Sequence, residues 1–498
     1  MNFNWFTVWL LLGMFFIPLM SFAQGRTANW IFGDGYHVKF AGVEPEVLPF
    51  IEGFEAYEGA SCISDKNGNL LFYSNTVRIW NAHFQPLFNS DTLPALNVPP
   101  SSSKTNGTIF LPWPGDSTDR FFAFFQMNDL DNRLYCSNID RQLDGGLGGI
   151  LDEFKNVLVW DWPVFEQLSA VKHANGRDWW LIVRRATAGN DEFQIGLLTK
   201  NGILNMGSQS TGFRGGIAGE LVSSKSGSKL ALTTTNDVCF PLPPTIGLYD
   251  FDRCSGIIDF IDTIRTRECY VTSYGLAFSE SEQMLYYSTN NRISLYQINT
   301  LHEELSDTLI FSLSGSSYFL HAGGQLQFSN NSNDIYMAMA GPDFGTGVGG
   351  VIYHLAVIRE PELTGRACDL DTFGLYLNGR QNSTLSLPNF PNYDLGPLVG
   401  SPCDTLTPQD TTQTGIFNHP TPRKDWSVFP TTSSGLYTLQ SDQAGWLMVH
   451  DLYGREVIRL WHKQTTPFDL TAQPAGLYLV HLRGADGTAT LPRKIVRQ

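Results

Sequence analysis

A polar turn followed by a short apolar strand recurs six times along this chain. The copies occupy residues 64–73, 115–124, 174–182, 224–232, 279–287 and 329–337. The first ends Asn67-Gly68-Asn69-Leu70-Leu71-Phe72-Tyr73, and the third runs Asn175-Gly176-Arg177-Asp178-Trp179-Trp180-Leu181-Ile182. Asn-Gly and Ser-Gly supply the positive φ of a tight hairpin at little steric cost. The strand that follows has no polar face, so it belongs inside a sheet covered on both sides. The repeat therefore demands a β architecture assembled from similar units.

A period of about fifty residues accommodates one four-stranded blade of a circular repeat fold. Residues 24–400 divided by that period give about seven units. The fold class expected is all-β: a roughly seven-bladed β-propeller followed by a small C-terminal β-sandwich. A sandwich array or β-solenoid is the architectural alternative. The unit without a visible copy is expected to combine Asn29-Trp30-Ile31-Phe32 near the start with Phe373-Gly374-Leu375-Tyr376-Leu377 near the end, closing the ring and hiding its edges.

Composition agrees with many short strands: 42% hydrophobic, 13% aromatic and only 16% charged residues, with abundant Gly. The net charge of −15 argues against nucleic acid, whose phosphates it would repel. The charge is uneven. From Trp426 onward seven Lys/Arg face five Asp/Glu, giving +2, so the remainder carries −17.

At the N-terminus, Trp5 to Met20 is almost wholly apolar and short for a membrane span. Ser21-Phe22-Ala23 then puts small residues before a cut, so residues 1–23 read as a signal peptide and Gln24 as the mature start. No Lys or Arg precedes the apolar run, a departure from the usual signal, and no Cys follows the cut as a lipoprotein would require. Seven cysteines lie beyond it. At least one has no partner within the chain; Cys254 with Cys269, and Cys368 with Cys403, are near enough to be local staples, but spacing does not fix the connectivity. CxxC spacing is missing, so a zinc site is not expected.

Residues 401–425, rich in Thr, Pro, Gln and Asp, read as an extended linker. After it the chain runs Trp426-Ser427-Val428-Phe429-Pro430, Gly435-Leu436-Tyr437, Val449-His450-Asp451-Leu452-Tyr453-Gly454, Phe468-Asp469-Leu470, Gly476-Leu477-Tyr478-Leu479-Val480 and Lys494-Ile495-Val496. These are short alternating strands separated by Gly, Asp and Pro turns. The series resembles the C-terminal sorting domain of the type IX secretion system (Por) of Bacteroidota, over residues 426–498. The matching motif residues are Asp451, Gly454, Asp469, Gly476, Tyr478 and Lys494, while Phe429-Pro430-Thr431-Thr432 stands where Tyr-Pro-Asn-Pro is usual. Segments such as Asn29-Trp30-Ile31-Phe32-Gly33, Ser273-Tyr274-Gly275-Leu276-Ala277-Phe278 and Leu387-Pro388-Asn389-Phe390 resemble a propeller-like region of secreted Bacteroidota proteins. These resemblances imply Sec export to the periplasm, recognition by the type IX machinery, and release or attachment at the outer-membrane surface.

The chemistry-bearing residues give less. His83, His173 and His321 have no HExxH spacing or GxSxG partner and read as turn residues. Gly145 to Gly149 and Gly345 to Gly350 lack the Lys-Ser/Thr of a phosphate cradle. Asp129 with Asp131, Asp250 with Asp252, and Asp369 with Asp371 would share one strand face, where Ca²⁺ is the only cofactor the sequence suggests. Carboxylates for glycoside hydrolysis cannot be picked from so many acids. Trp80, Trp160, Trp162, Trp179 and Trp180 suit packing between blades, whereas Trp113, between Pro112 and Pro114, reads as a loop residue able to stack on a ligand. The function expected is a secreted or surface protein binding a glycan or protein. The alternatives are a polysaccharide hydrolase or lyase, or a structural surface or motility component.

Overall fold

In the computed structural model the described residues are 25–40, 42, 44–90, 104–126, 132–187, 189–234, 245–265, 273–289, 293–301, 305–312, 322–341, 353–379, 384–404, 426–441, 444–451, 456–484 and 493–498. Residues 1–23, which the sequence reads as a signal peptide, His321, Gly454 and the Asp129–Asp131 pair lie outside them. The chain divides into two compact units, residues 1–411 and 412–498.

The first unit contains, among the described residues, seven antiparallel sheets. The first has Asn29–Phe32, Tyr36–Lys39 and Glu46–Val47; the second has Ser61–Ser64, Leu70–Ser74 and Ile79–Asn81. The third runs Thr108–Trp113, Asp116–Gln126 and Leu134–Asp140, with Gly149–Ile150 and Val157–Leu158 both on its third strand. The other four are four-stranded meanders: Val164–Lys172 to Gly202–Ser210, Leu221–Ser223 to Ile258–Arg265, Ser273–Phe278 to Asp307–Ser312, and Ala322–Phe328 to Leu370–Tyr376.

Each of the six sequence repeats is the hairpin joining the first strand of a sheet to its second, from the second sheet to the seventh. The polar turn residues close these hairpins locally. Asp65 Oδ1 accepts the backbone N–H groups of Asn67 and Asn69 at 2.8 and 2.9 Å, and Asn175 Oδ1 accepts those of Arg177 and Asp178 at 3.0 Å. The strand after each turn is buried because both its faces meet neighbouring sheets, as at Trp179–Arg185 and Met284–Thr289.

The sheets follow one another around a closed ring. The first strand of each lies against the first strand of the next, from Asn29–Phe32 to Ala322–Phe328. Apolar clusters fill the spaces between successive sheets. The last cluster joins Trp30, Phe32 and Phe40 of the first sheet to Tyr336, Leu355, Val357 and Leu375 of the seventh. Meandering sheets arranged radially with closure of first on last make a β-propeller.

The closure differs from the sequence expectation. Asn29–Phe32 pairs with Tyr36–Lys39 in the first sheet, and Leu370–Tyr376 is the outer strand of the seventh, so the two ends do not share a sheet. A short turn at Gly33-Asp34-Gly35, with φ of 59° and 97° at the two glycines, folds the first strand onto its own neighbour. This is a seventh copy of the repeat, hidden by its closer spacing. Closure is by side chains instead: the Trp30 and Phe40 rings meet Tyr336 edge-on at 5.4 and 5.3 Å.

The second unit has a three-stranded sheet (Trp426–Phe429, Leu436–Ser441, Thr465–Asp469) and a five-stranded one built from Thr432–Ser433, Arg493–Arg497, Gly476–Gly484, Gly445–Asp451 and Glu456–His462. Alternate residues of both sheets, among them Trp426, Val428, Tyr437, Leu447, Val449, Phe468, Tyr478, Val480 and Ile495, form one core.

Residues 384–404, which the sequence assigned to the end of the blades and the start of the linker, form a strap along the ring axis. Ser386 Oγ accepts Gly33 N–H at 2.8 Å and donates to Ala56 O at 2.8 Å, at the first sheet and the loop after it. Asn389 N–H donates to Ala60 O at 2.8 Å, beside the second. Asn389 Nδ2 reaches Thr108 O of the third sheet and Leu168 O of the fourth, both at 3.2 Å. Gln325 of the seventh accepts Leu387 N–H at 2.7 Å. A segment touching sheets on opposite sides of a ring lies at its centre. Gly324 makes room for it, since a Cβ there would stand 2.5 Å from Leu385 O, and Gly275 lets the inner strands of the sixth and seventh sheets approach, since a Cβ there would stand 2.4 Å from Gly324 O.

The strap also corrects the expected disulfides. Cys403 bonds to Cys254, 149 residues away, with Cα atoms 5.5 Å apart. Cys254 therefore does not pair with Cys269, nor Cys368 with Cys403. Cys368 is buried and free in the core between the sixth and seventh sheets, as are Cys62 and Cys136 elsewhere. Sequence proximity misled because the strap delivers Cys403 to a turn of the fifth sheet only after crossing the channel. Gly324→Ala is expected to push Leu385 off the axis and to destabilise the chain by roughly 1–3 kcal/mol in urea unfolding; an unchanged midpoint would remove the close approach from the account.

Candidate functional site at the channel mouth

At the leading end of the inner strands, polar side chains from six of the seven sheets converge. Glu58 precedes the second sheet, Lys104-Thr105-Asn106 the third and Glu220 the fifth, while Glu166, Tyr274 and Gln325 lie in the first strands of the fourth, sixth and seventh. Thr105 ties them together. Its hydroxyl donates to Glu166 Oε2 at 3.1 Å and lies 3.1 Å from Tyr274 Oη, and its carbonyl accepts Gln325 Nε2 at 2.9 Å. Asn106 Oδ1 accepts Leu221 N–H at 2.9 Å, and Lys104 Nζ donates to Asn132 Oδ1 at 3.0 Å. One turn thus bonds to the fourth, fifth, sixth and seventh sheets and caps the channel.

The two acids differ in depth. Glu220, 3% exposed, accepts Leu276 N–H at 2.6 Å. Burial pushes its carboxyl up to about 8, against that backbone donor. Glu166 is only partly buried, and burial together with the charge of Glu58 lifts it to about 7, opposed by Lys104 and the Thr105 hydrogen bonds. Tyr274, fully enclosed among these acids, has its phenol held well above its ordinary value, first by burial. Glu58, Glu166 and Lys104 retain access to solvent, and Tyr57, next to Glu58 in the chain, is 47% exposed. This surface can accept a cationic or hydroxyl-bearing group, and Glu166 can exchange a proton near neutrality.

Below the cap the strap leaves little space. A cavity of about 90 Å³ remains beside it, lined by Asn106, Ser169, Glu220, Leu276, Gln327 and Asn389 among others. It has room for several waters but falls far short of the roughly 300–1,000 Å³ of a small-molecule site.

The residues singled out from the sequence lie elsewhere. Trp113 ends the strand Thr108–Trp113 rather than sitting in a loop; it is half-buried, stacked on Phe122 at 4.5 Å, with the Arg120 guanidinium over its ring at 5.9 Å. Trp80 stacks on Tyr73, Trp160 on Trp162, and Trp179 and Trp180 are enclosed. His173 accepts Asn175 N–H at Nδ1 and reaches Cys254 O with Nε2 at 3.2 Å, a turn role, whereas His83 is exposed. Asp252 holds the N–H of Cys254 and the hydroxyl of Ser255, Asp250 pairs with Lys229, and Asp371 pairs with Arg359. Among the described residues no group of three or more His, Cys, Asp or Glu could hold a metal ion.

In the second unit the motif residues serve turns and ladders. Asp469 Oδ1 accepts Thr471 N–H at 2.7 Å, Tyr478 Oη donates to Pro474 O at 2.7 Å, Asp451 stands opposite Tyr478, Gly476 opposite Arg497, and Lys494 opposite Leu479.

Sequence reasoning missed Glu58, Glu166, Glu220 and Tyr274. A signal was present: Glu166 interrupts the otherwise apolar start of Val164-Phe165-Glu166-Gln167-Leu168, and Glu220 directly precedes an inner strand.

The sequence matches no known family and no curated protein. Among solved structures it is similar to the β-propeller domain of Myceliophteria thermophila Cps50 (Swd1) at 13% identity, covering 64% of this chain and 93% of that one with a TM-score of 0.38. Kuenenia stuttgartiensis hydrazine synthase is similar at 10% identity, covering 64% of this chain and 96% of that one, also at 0.38. Kluyveromyces lactis Hsv2 is similar at 7% identity, covering 66% and 94%, again at 0.38. Scores of this size carry no argument, and the propeller rests on the pairing and packing of its own sheets.

The raised acids make stability pH-dependent. Glu220 is protonated in the fold up to about pH 8, whereas it ionises near 4.5 when unfolded. The unfolded chain holds fewer protons in that window, so stability falls as pH rises through it. Glu220→Gln is expected to raise the unfolding free energy at pH 8 by up to about 4 kcal/mol relative to the parent chain, with the two converging below pH 5. Parallel pH–stability curves for the two chains would contradict the buried neutral acid.

Proposed function

We propose that this chain is an exported recognition protein. Its seven sheets are the blades of a seven-bladed propeller, and its C-terminal unit is a β-sandwich that serves as the sorting domain read by type IX secretion machinery. The observation that carries the export reading is the Cys254–Cys403 disulfide, because such bonds persist outside the reducing cytosol. The free thiols fit the same compartment: burial pushes Cys62 and Cys136 up to about 12, where they are inert to oxidation. The separate compactness of residues 412–498 suits a detachable address.

For recognition, the plugged channel favours a ligand held on the surface over one swallowed by a funnel. The mouth offers Tyr57 with Glu58, Glu166 and Lys104, a mixed aromatic and acidic surface suited to a glycan or a basic protein segment. Trp113 is retained as a second, weaker contact through its half-buried edge. An enzyme acting on polysaccharide is the second reading, favoured by Glu166, whose carboxyl at about 7 lies in the range of a general acid. Ca²⁺ at the Asp pairs and attachment at the outer-membrane surface belong to the proposal as well.

In a bacterium with type IX machinery, the full chain is expected at the surface or in the medium, and a chain ending at Asp425 in the periplasm. Equal surface delivery of both would sink the sorting role. In thermal unfolding of the full chain, a glycan or basic peptide at a hundredfold its Kd should stabilise by about 2.7 kcal/mol. Glu166→Gln with Tyr57→Ala should abolish that shift. Cleavage of the same glycan, lost in Glu166→Gln, would replace binding with catalysis.

A further inference from the structure

The strap has two parts. Residues 384–388 are buried, and through Tyr393 the segment is bonded to the inner strands. From Asp394 to Asp404 it emerges and is mostly exposed. The emerging part is held by a small set of contacts among the described residues. Arg253 Nη2 donates to Gly396 O at 2.7 Å, Leu398 N–H donates to Ala174 O at 2.8 Å, and Pro397 lies tight against Gly176, where a Cβ would stand 2.4 Å from its nitrogen. Beyond them comes Cys403, joined to Cys254. Cys254 belongs to the same turn as Arg253, shaped by Asp252, which accepts Cys254 N–H at 2.8 Å and the Ser255 hydroxyl at 2.6 Å. One turn of the fifth sheet thus grips the strap exit by a guanidinium and by a covalent bond.

We propose that the Cys254–Cys403 disulfide is a redox clasp that locks the strap in the propeller channel, and that its reduction lets the strap withdraw from the axis while the ring stays folded. Three observations lead there. The bond spans 149 residues but joins the strap, not two sheets, so the ring does not depend on it for closure; closure is the packing of Trp30 and Phe40 on Tyr336. Both cysteines are half-buried at the surface turn and strap exit, open to a small thiolate in a way that the fully buried Cys62, Cys136 and Cys368 are not. The clasp also lies downstream of every strap hydrogen bond to the inner strands. Tension on the chain beyond Asp404 is therefore borne by the fifth sheet and does not peel Asn389 or Leu387 from the axis. A dithiol reductant supplies the chemistry: its thiolate attacks one sulfur, the second thiol closes it to a cyclic disulfide, and two electrons and two protons leave Cys254 and Cys403 as thiols.

The clasp requires neither the ligand nor the export route, so its failure and theirs are separable. The test is hydrogen exchange of the full folded chain with and without dithiothreitol, followed by mass spectrometry. Reduction should speed exchange across residues 384–398 at least tenfold and leave peptides from the second strands, such as 179–185 and 284–289, unchanged. The C254S/C403S double variant should behave like the reduced chain; if it does not fold, reduction of the already folded parent supplies the readout. Unchanged strap exchange after reduction overturns the proposal. So does acceleration across all sheets together, which would make the bond a general staple. Alkylation of Cys254 and Cys403 in the unreduced chain would remove the clasp altogether.

Discussion

The inner strands of the ring turn backbone carbonyls toward a common axis, and those groups need partners. Ala60 O, Thr108 O, Phe110 O and Leu168 O all point there, in a channel whose cavity accommodates only a few waters. Buried backbone acceptors without donors are costly, about 1–3 kcal/mol each. The strap answers this with one Asn side chain bonded to two sheets, its own amide to the loop leading into a third, and the Tyr393 hydroxyl on Phe110. The strap thus supplies donors to carbonyls that would otherwise need water along the axis. A glycine on the inner strand follows from that requirement at Gly324, because a side chain there would occupy the space of the strap at Leu385.

The same arrangement shapes the mouth. The Lys104-Thr105-Asn106 turn lies across the axis, bonded to Glu166, Tyr274, Leu221 and Gln325, and Glu220 below it is shut off from water. Sealing separates two carboxylates: burial pushes the Glu220 carboxyl up to about 8 in the interior, and Glu166, only partly buried, is lifted to about 7. On the outer side of this cap, Tyr57, Glu58 and Lys104 join Glu166 with access to solvent.

Much of the architecture was legible. The hairpin turns carry their own hydrogen-bond chemistry, as at Asp65 and Asn175, so each copy announces itself within ten residues. The tryptophans divided as packing predicts, with Trp179 and Trp180 enclosed between sheets. The first hairpin escaped notice because its sheet has three strands and so shortens the spacing before the next copy. Trp113 was misread because its flanking prolines suggest a loop, whereas Pro112 and Trp113 sit at the strand end beside a register shift, where a missing N–H is tolerated. The acids of the mouth were invisible for a different cause. Glu58, Glu166 and Glu220 come from three separate places in the chain, and only the ring brings them together.

Local chemistry in the sequence was enough to determine strands, turns and the repeat, since hairpin geometry depends on residues a few positions apart. It also marked the change of character at Trp426, where charge and pattern shift together. The tertiary structure alone decided what fills the axis, which cysteines meet, and which carboxylates stay protonated. Those are consequences of distance and dielectric between residues as far apart as Gly33 and Ser386, or Cys254 and Cys403. Such separations leave no trace in spacing, because the energy that joins them appears only once the ring has closed around the strap.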